Sequence, residues 1–168
     1  ILQTDINGVV DDVNDLEQSI DMIKSIGEIC HVSPKANKVS KQITDNFNSF
    51  DSDIKGKSVL YFIWKNPYMV AANDTFIDSI LTNQLGLKNV MSNKKRYPNI
   101  DLADVTISPD YVFLSSEPYP FKEKHRKEMN EVFPNAKVVL VDGEYFSWYG
   151  SRLIKAPSYF KDLCDKLQ

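Results

Sequence analysis

The chain has 168 residues, 42% of them hydrophobic and 26% charged, which fits one globular domain and excludes a disordered or collagen-like polymer. Twenty Lys and Arg against 23 Asp and Glu leave a net charge of −3, so no overall basic field exists to grip nucleic acid. Two cysteines cannot build a disulfide framework, and no apolar run approaches the ~18 residues that span a bilayer.

The first residues, 1–6, form a short β-prone run with no strand neighbour nearby in sequence. From Asp12 the apolar residues Val13, Leu16, Ile20, Ile23 and Ile26 recur every three or four positions and predict an amphipathic helix ending near Gly27. Ser33-Pro34 is a helix-start signal, and Ala36, Val39, Ile43, Phe47 and Phe50 stripe a second helix of about five turns. Residues 51–57 (DSDIKGK) read as a polar linker. Val59 to Trp64 is a continuous apolar run, as expected of a strand covered on both faces. Residues 69–72 predict a second short strand. Asp74 is placed to cap a helix that buries Phe76, Ile77, Ile80, Leu81 and Leu85 and stops at Gly86. After a basic loop (91–99) and a short helix (102–107) come a strand at 111–114, a charged helix at 120–133, a strand at 137–141 and a closing helix at 153–167. Pro157 lies inside that last helix and predicts a kink or restart. Strands separated by helices imply an α/β fold, a Rossmann-like lobe with a mainly parallel sheet flanked by helices and preceded by a long connecting helix.

No nucleophile elbow, phosphate loop, dinucleotide fingerprint or zinc-protease motif is present. His31 and His125 read as surface histidines, because neither has a partner at ligand spacing, and Cys164 reads as a buried small hydrophobe. The distinguishing feature is aromatic residues gathered in the loops after the strands. Trp64 and Tyr68 flank Asn66-Pro67, Tyr97 sits in the basic loop, Tyr119 and Phe121 alternate with prolines, and Tyr145, Phe146, Trp148 and Tyr149 fall within five positions. In open parallel sheets these strand ends converge on the ligand crevice. Four such rings within five residues of one loop cannot all turn inward, so an exposed aromatic face is expected there. Arg152 follows closely, placed either to meet an anionic group or to bind nearby carbonyls. Glu117 and Glu123 read as solvated charge near a helix N-terminus.

Residues 4–29, 59–77, Ser115 to Phe121 (SSEPYPF) and Trp148 to Leu153 (WYGSRL), in that order, resemble the substrate-binding proteins of cobalamin and iron-siderophore ABC importers, the helical-backbone metal receptors. The resemblance implies two α/β lobes joined by a rigid helix, with the guest held between them. On it, residues 1–32 are the end of an N-terminal lobe and the following helix, 33–55 the connecting helix and linker, and 56–168 the C-terminal lobe. Most of the first lobe is then missing, which truncation or proteolysis would explain. The resemblance implies ligand contacts at Trp64, Lys65, Tyr68, Tyr97, Tyr145, Phe146, Trp148 and Arg152. It implies docking to a membrane permease through Glu117 or Glu123.

The expected function is therefore a non-enzymatic receptor for a cobalamin- or siderophore-like metal chelate, exported to the periplasm or cell surface. No catalytic residue and no resident metal or cofactor is expected. The alternatives are a Rossmann-like enzyme acting on a nucleotide or sugar, and a pure interaction module. A surface left open by an absent lobe would favour a homodimer.

Overall fold

In a computed structural model the structure describes residues 12–104 and 106–168. The β-prone run at the start of the chain lies outside them.

Helix α1 (Leu16–Ile29) begins where the Asp15 carboxylate accepts the Gln18 N–H at 2.8 Å, a side-chain N-cap. It does not end at Gly27 but runs through it. Gly27 is buried against α2 (Ser33–Asn48), and a Cβ there would overlap that of Ala36, so the glycine marks a close helix crossing rather than a stop. Pro34 stands in the first turn of α2, as the sequence predicts. The expected linker is not loose. Ile54 is buried, and the Ser52 hydroxyl donates to the Leu85 carbonyl at 2.7 Å.

Strand β1 (Ser58–Trp64) pairs in parallel with β4 (Tyr111–Ser115), which pairs in parallel with β5 (Lys137–Val141). Two-residue strands complete the sheet. β2 (Met69–Val70) runs antiparallel to the end of β1, and β3 (Lys88–Asn89), unpredicted, runs parallel to its start. Strand order is therefore β2-β1-β4-β5, with β3 also on β1. The period of two sorts side chains between two cores. Val59, Tyr61, Ile63, Tyr111 and Phe113 face one core, shared with Ile43 and Phe47 of α2 and with Phe160 and Leu163. Leu60, Phe62, Val112, Leu114 and Val138 face the other, shared with Met129, Phe133 and Phe121. A strand buried on both faces needs no polar side, which is why β1 is without a polar face from Val59 to Ile63.

The helix after β2 is capped by Thr75, whose hydroxyl accepts the Asp78 N–H at 3.1 Å, and not by the preceding Asp74, which stands at φ 60°. One α-helical turn, α3 (Phe76–Ser79), passes directly into a π-helical turn (Ile80–Gln84). Helix α4 (Glu123–Val132) starts three residues later than Pro120 suggests. The short turn α5 (Glu144–Ser147) follows β5. A 3₁₀ turn (Ser151–Ile154) then precedes α6 (Ala156–Leu167), so the chain restarts with Pro157 in the first turn, where its missing N–H costs nothing.

Candidate functional site

Because β1, β4 and β5 are parallel, their carboxyl ends fall on one edge of the sheet. The segments after them, 65–68, 116–122 and 142–150, lie side by side there. Trp64 is the last residue of β1 and is 39% exposed. Its ring meets Tyr119 edge to face, centroids 5.7 Å apart, and the Tyr119 N–H donates to the Ile63 carbonyl at 3.3 Å. Lys65 pairs with Glu128 of α4, a hydrogen bond that holds its ammonium pKa up, and lies 5.7 Å from the Tyr68 ring centroid. Tyr68 is half-buried, packed edge-on against Phe62.

The second joint is polar. The Ser147 hydroxyl donates to the Glu117 carboxylate at 2.6 Å, and the Gly143 N–H donates to the Ser116 hydroxyl at 2.9 Å. Residue 143 has to be small, since a Cβ would overlap Ser115 Oγ and come 2.8 Å from Glu117 Cγ.

Three of the expected contact residues form the support behind this edge. Phe146 is fully buried, 0% exposed, against Tyr61, Phe113 and Phe160. It cannot touch a guest, because its aromatic area is spent in the core. The Arg152 guanidinium donates to Asp142 at 3.1 Å and reaches Glu144 at 2.6 Å, so two carboxylates already answer its charge. It also lies 4.4 Å from the centroid of Tyr145, which stacks on Tyr159 at 4.4 Å. Burial raises the Tyr159 phenol to about 12, and its oxygen accepts the Asp142 N–H at 2.8 Å. Arg152 and Tyr145 thus brace the loop rather than offer it to solvent.

At the far end, Trp148 is 50% exposed and Tyr97 36%. Beside Tyr97 a hollow of about 150 Å³ is lined by Asp12, Thr75, Phe76, Arg96, Ser147 and Tyr149, and Trp148 borders a separate, shallow and open hollow of about 350 Å³ with Met22 and Gly150. Burial pushes the Tyr97 phenol upward. Arg96 donates to the Asp12 carboxylate at 3.1 Å and the Asp74 carbonyl at 3.3 Å, and the Ser19 hydroxyl donates to the Tyr149 carbonyl at 2.8 Å, tying α1 to the same corner. Tyr119, Tyr149 and Arg96 were absent from the expected contact set. The first two are legible as loop aromatics, whereas Arg96 lies among the basic residues of the 91–99 loop, with no local signal that sets it apart. The first hollow is well below the ~300–1,000 Å³ of a drug-sized pocket and the second lies open to solvent, so the edge offers a wall with a notch rather than a closed cavity.

Glu117 is half-buried at the second joint, and Glu123 is exposed at the start of α4, accepting from Arg126 Nε at 2.9 Å. Among the described residues no group of three or more His, Cys, Asp or Glu is placed to hold a metal.

No protein-family model matches the chain and no curated protein is significantly similar to it. Solved structures do match. A possible iron-binding periplasmic solute-binding protein from Staphylococcus epidermidis aligns over 92% of this chain and 63% of its own, with TM-score 0.71 and 21% identity. The chain shares the fold of such binding proteins. The periplasmic vitamin B12 binding protein BtuF of Vibrio cholerae aligns over 94% and 64% (TM-score 0.70, 14% identity), and the periplasmic heme binding protein HutB of Vibrio cholerae over 88% and 63% (TM-score 0.68, 20% identity). The chain therefore spans less than two thirds of the length of these structures.

Proposed function

We propose that the chain is a substrate-binding component of an ABC importer, exported from the cytoplasm, and that its sheet edge forms one wall of a cleft for a cobalamin- or siderophore-like metal chelate. The observation that carries this is the row of exposed rings, Trp64, Tyr97 and Trp148, on the carboxyl edge of a parallel sheet. Exposed rings cost solvation unless something flat covers them, and chelates of this class offer large, partly apolar faces. Two of the proteins that share the fold bind vitamin B12 and heme, guests of that class.

Recognition on this reading rests on Trp148 and Trp64 for stacking, with Tyr97 and Tyr149 flanking the notch, while the Lys65 charge, like that of Arg152, is already answered by a carboxylate. Docking to the permease falls to Glu123. It is exposed, and its only partner among the described residues is the surface residue Arg126, a pair that water and salt screen, so the carboxylate exchanges that partner readily for another arginine. Glu117 is instead committed to Ser147.

Titration of the chain with cyanocobalamin, hemin and a ferric hydroxamate, read by calorimetry and tryptophan quenching, tests the reading. One of them is expected to bind saturably but weakly, since a single wall covers one face of a guest. Trp148→Ala is expected to weaken that binding by about 1–2 kcal/mol, roughly tenfold in Kd. Absence of binding by all three, or binding indifferent to Trp148→Ala and Trp64→Ala alike, overturns it.

A further inference from the structure

His125 is 3% exposed, not the surface residue its spacing suggests, and both ring nitrogens are engaged. At the third position of α4 it reaches back so that Nδ1 accepts the Lys122 backbone N–H at 2.9 Å. An Nδ1 that accepts carries no proton, so the proton is on Nε2, which lies 3.3 Å from the Tyr119 hydroxyl oxygen. The imidazole also packs against Tyr119 and Phe121, centroids 5.5 and 5.6 Å away. Tyr119 is the ring on which Trp64 rests. A continuous line of contact thus runs from a buried imidazole to an exposed indole on the wall.

We propose that His125 is the positioning residue of the Trp64–Tyr119 pair, holding it against the sheet edge while neutral and releasing it when protonated in mildly acidic solution. A second proton would go onto Nδ1, where it would face the Lys122 N–H, donor against donor. The ring cannot accept that proton and keep the helix cap, so it has to turn, and turning withdraws its support from Tyr119. Charges on the packed elements act in the same direction. Lys122 and Lys124 on its own segment and Lys65 from the β1 loop oppose an imidazolium, while Glu128, the one carboxylate favouring it among the described residues, is engaged by Lys65. Tyr119 presents only a neutral hydroxyl. Burial and these lysines lower the His125 pKa, which places release on the acid side of the ordinary ~6.5. The consequence for a guest rests on the proposed role of Trp64, but the release itself does not.

The chain has two tryptophans, so Trp148→Phe leaves Trp64 as the sole reporter. Its emission and acrylamide quenching are recorded without ligand from about pH 7.5 to about pH 4.5, spanning the range in which imidazole titrates. A red shift with greater quenching on acidification is expected while the far-UV circular dichroism stays constant. Adding His125→Gln, whose amide both accepts the Lys122 N–H and donates to Tyr119 at any pH, is expected to abolish the shift. His125→Ala is expected to show the red-shifted spectrum already at the upper pH. An emission that stays constant with pH, a shift retained in H125Q, or a shift accompanied by loss of the far-UV signal overturns the proposal. So does an imidazole 15N spectrum of the unaltered chain that places the His125 proton on Nδ1. Because none of these readouts uses a ligand, they fail or succeed independently of the chelate titrations.

Discussion

Phe146 and Trp148 are two positions apart and divide the work of the α5 loop between them. Phe146 fills the core and Trp148 stands in solvent. Phe146→Ala is therefore expected to cost about 3–5 kcal/mol in urea unfolding, the usual effect of emptying a buried aromatic site, and Trp148→Ala to stay within about 0.5 kcal/mol. The reverse order is expected for ligand affinity. Gly143→Ala tests the neighbouring joint. Its methyl group would overlap Ser115 Oγ and crowd Glu117, so a loss of about 1–3 kcal/mol is expected, measured in the same way. At this scale the sequence was only half legible. That some of the rings in residues 145–149 face outward follows from their crowding. Which ones do depends on β5 ending at Val141 and α5 turning Phe146 back toward Tyr61, and no local pattern encodes that. The ion pairs of Arg152 were illegible for a related reason. Its partners Asp142 and Glu144 lie ten and eight residues earlier, a spacing that no helix or strand period brings together.

Between elements, the α1–α2 crossing is the sharpest constraint. Glycine to alanine inside a helix normally gains about 1 kcal/mol. At Gly27 the opposite sign is expected, a lower melting temperature, because the added methyl meets Ala36 on a backbone that cannot swing aside. Ala36→Gly in the same chain is expected to restore part of the loss, which a melting series on the single and double variants would show. Asp15→Ala removes the α1 cap and is expected to cost about 0.5–2 kcal/mol by urea titration. The helices and main strands were readable because periods of 3.6 and 2 persist over several residues. Strand β3 was not. It is two residues long, and its Asn89 is buried with its amide donating to the Ala71 carbonyl at 3.1 Å and to the Asp78 carboxylate at 2.6 Å, a polar residue serving a buried role.

Across the whole molecule, the two edges of the sheet carry different chemistry. At the amino edge the Asp110 carboxylate accepts both the N–H and the hydroxyl of Ser58, each at 2.7 Å, with Lys57 nearby, and is held down at about 2. The folded chain therefore binds this proton less readily than the unfolded chain. Stability from Asp110 is complete above the ordinary carboxylate range near 3.8 and is lost as pH falls toward 2. Asp110→Asn is expected to lower the urea midpoint at pH 6 and to flatten its decline between about pH 4 and about pH 2.

The carboxyl edge is joined at every seam: ring against ring at Trp64 and Tyr119, hydroxyl to carboxylate at Ser147 and Glu117, amide to hydroxyl at Gly143 and Ser116, and α1 to the Tyr149 carbonyl through Ser19. A panel stitched in this way does not mould itself around whatever arrives. In the role proposed above it would serve as an anvil, discriminating by how level a visitor's face is.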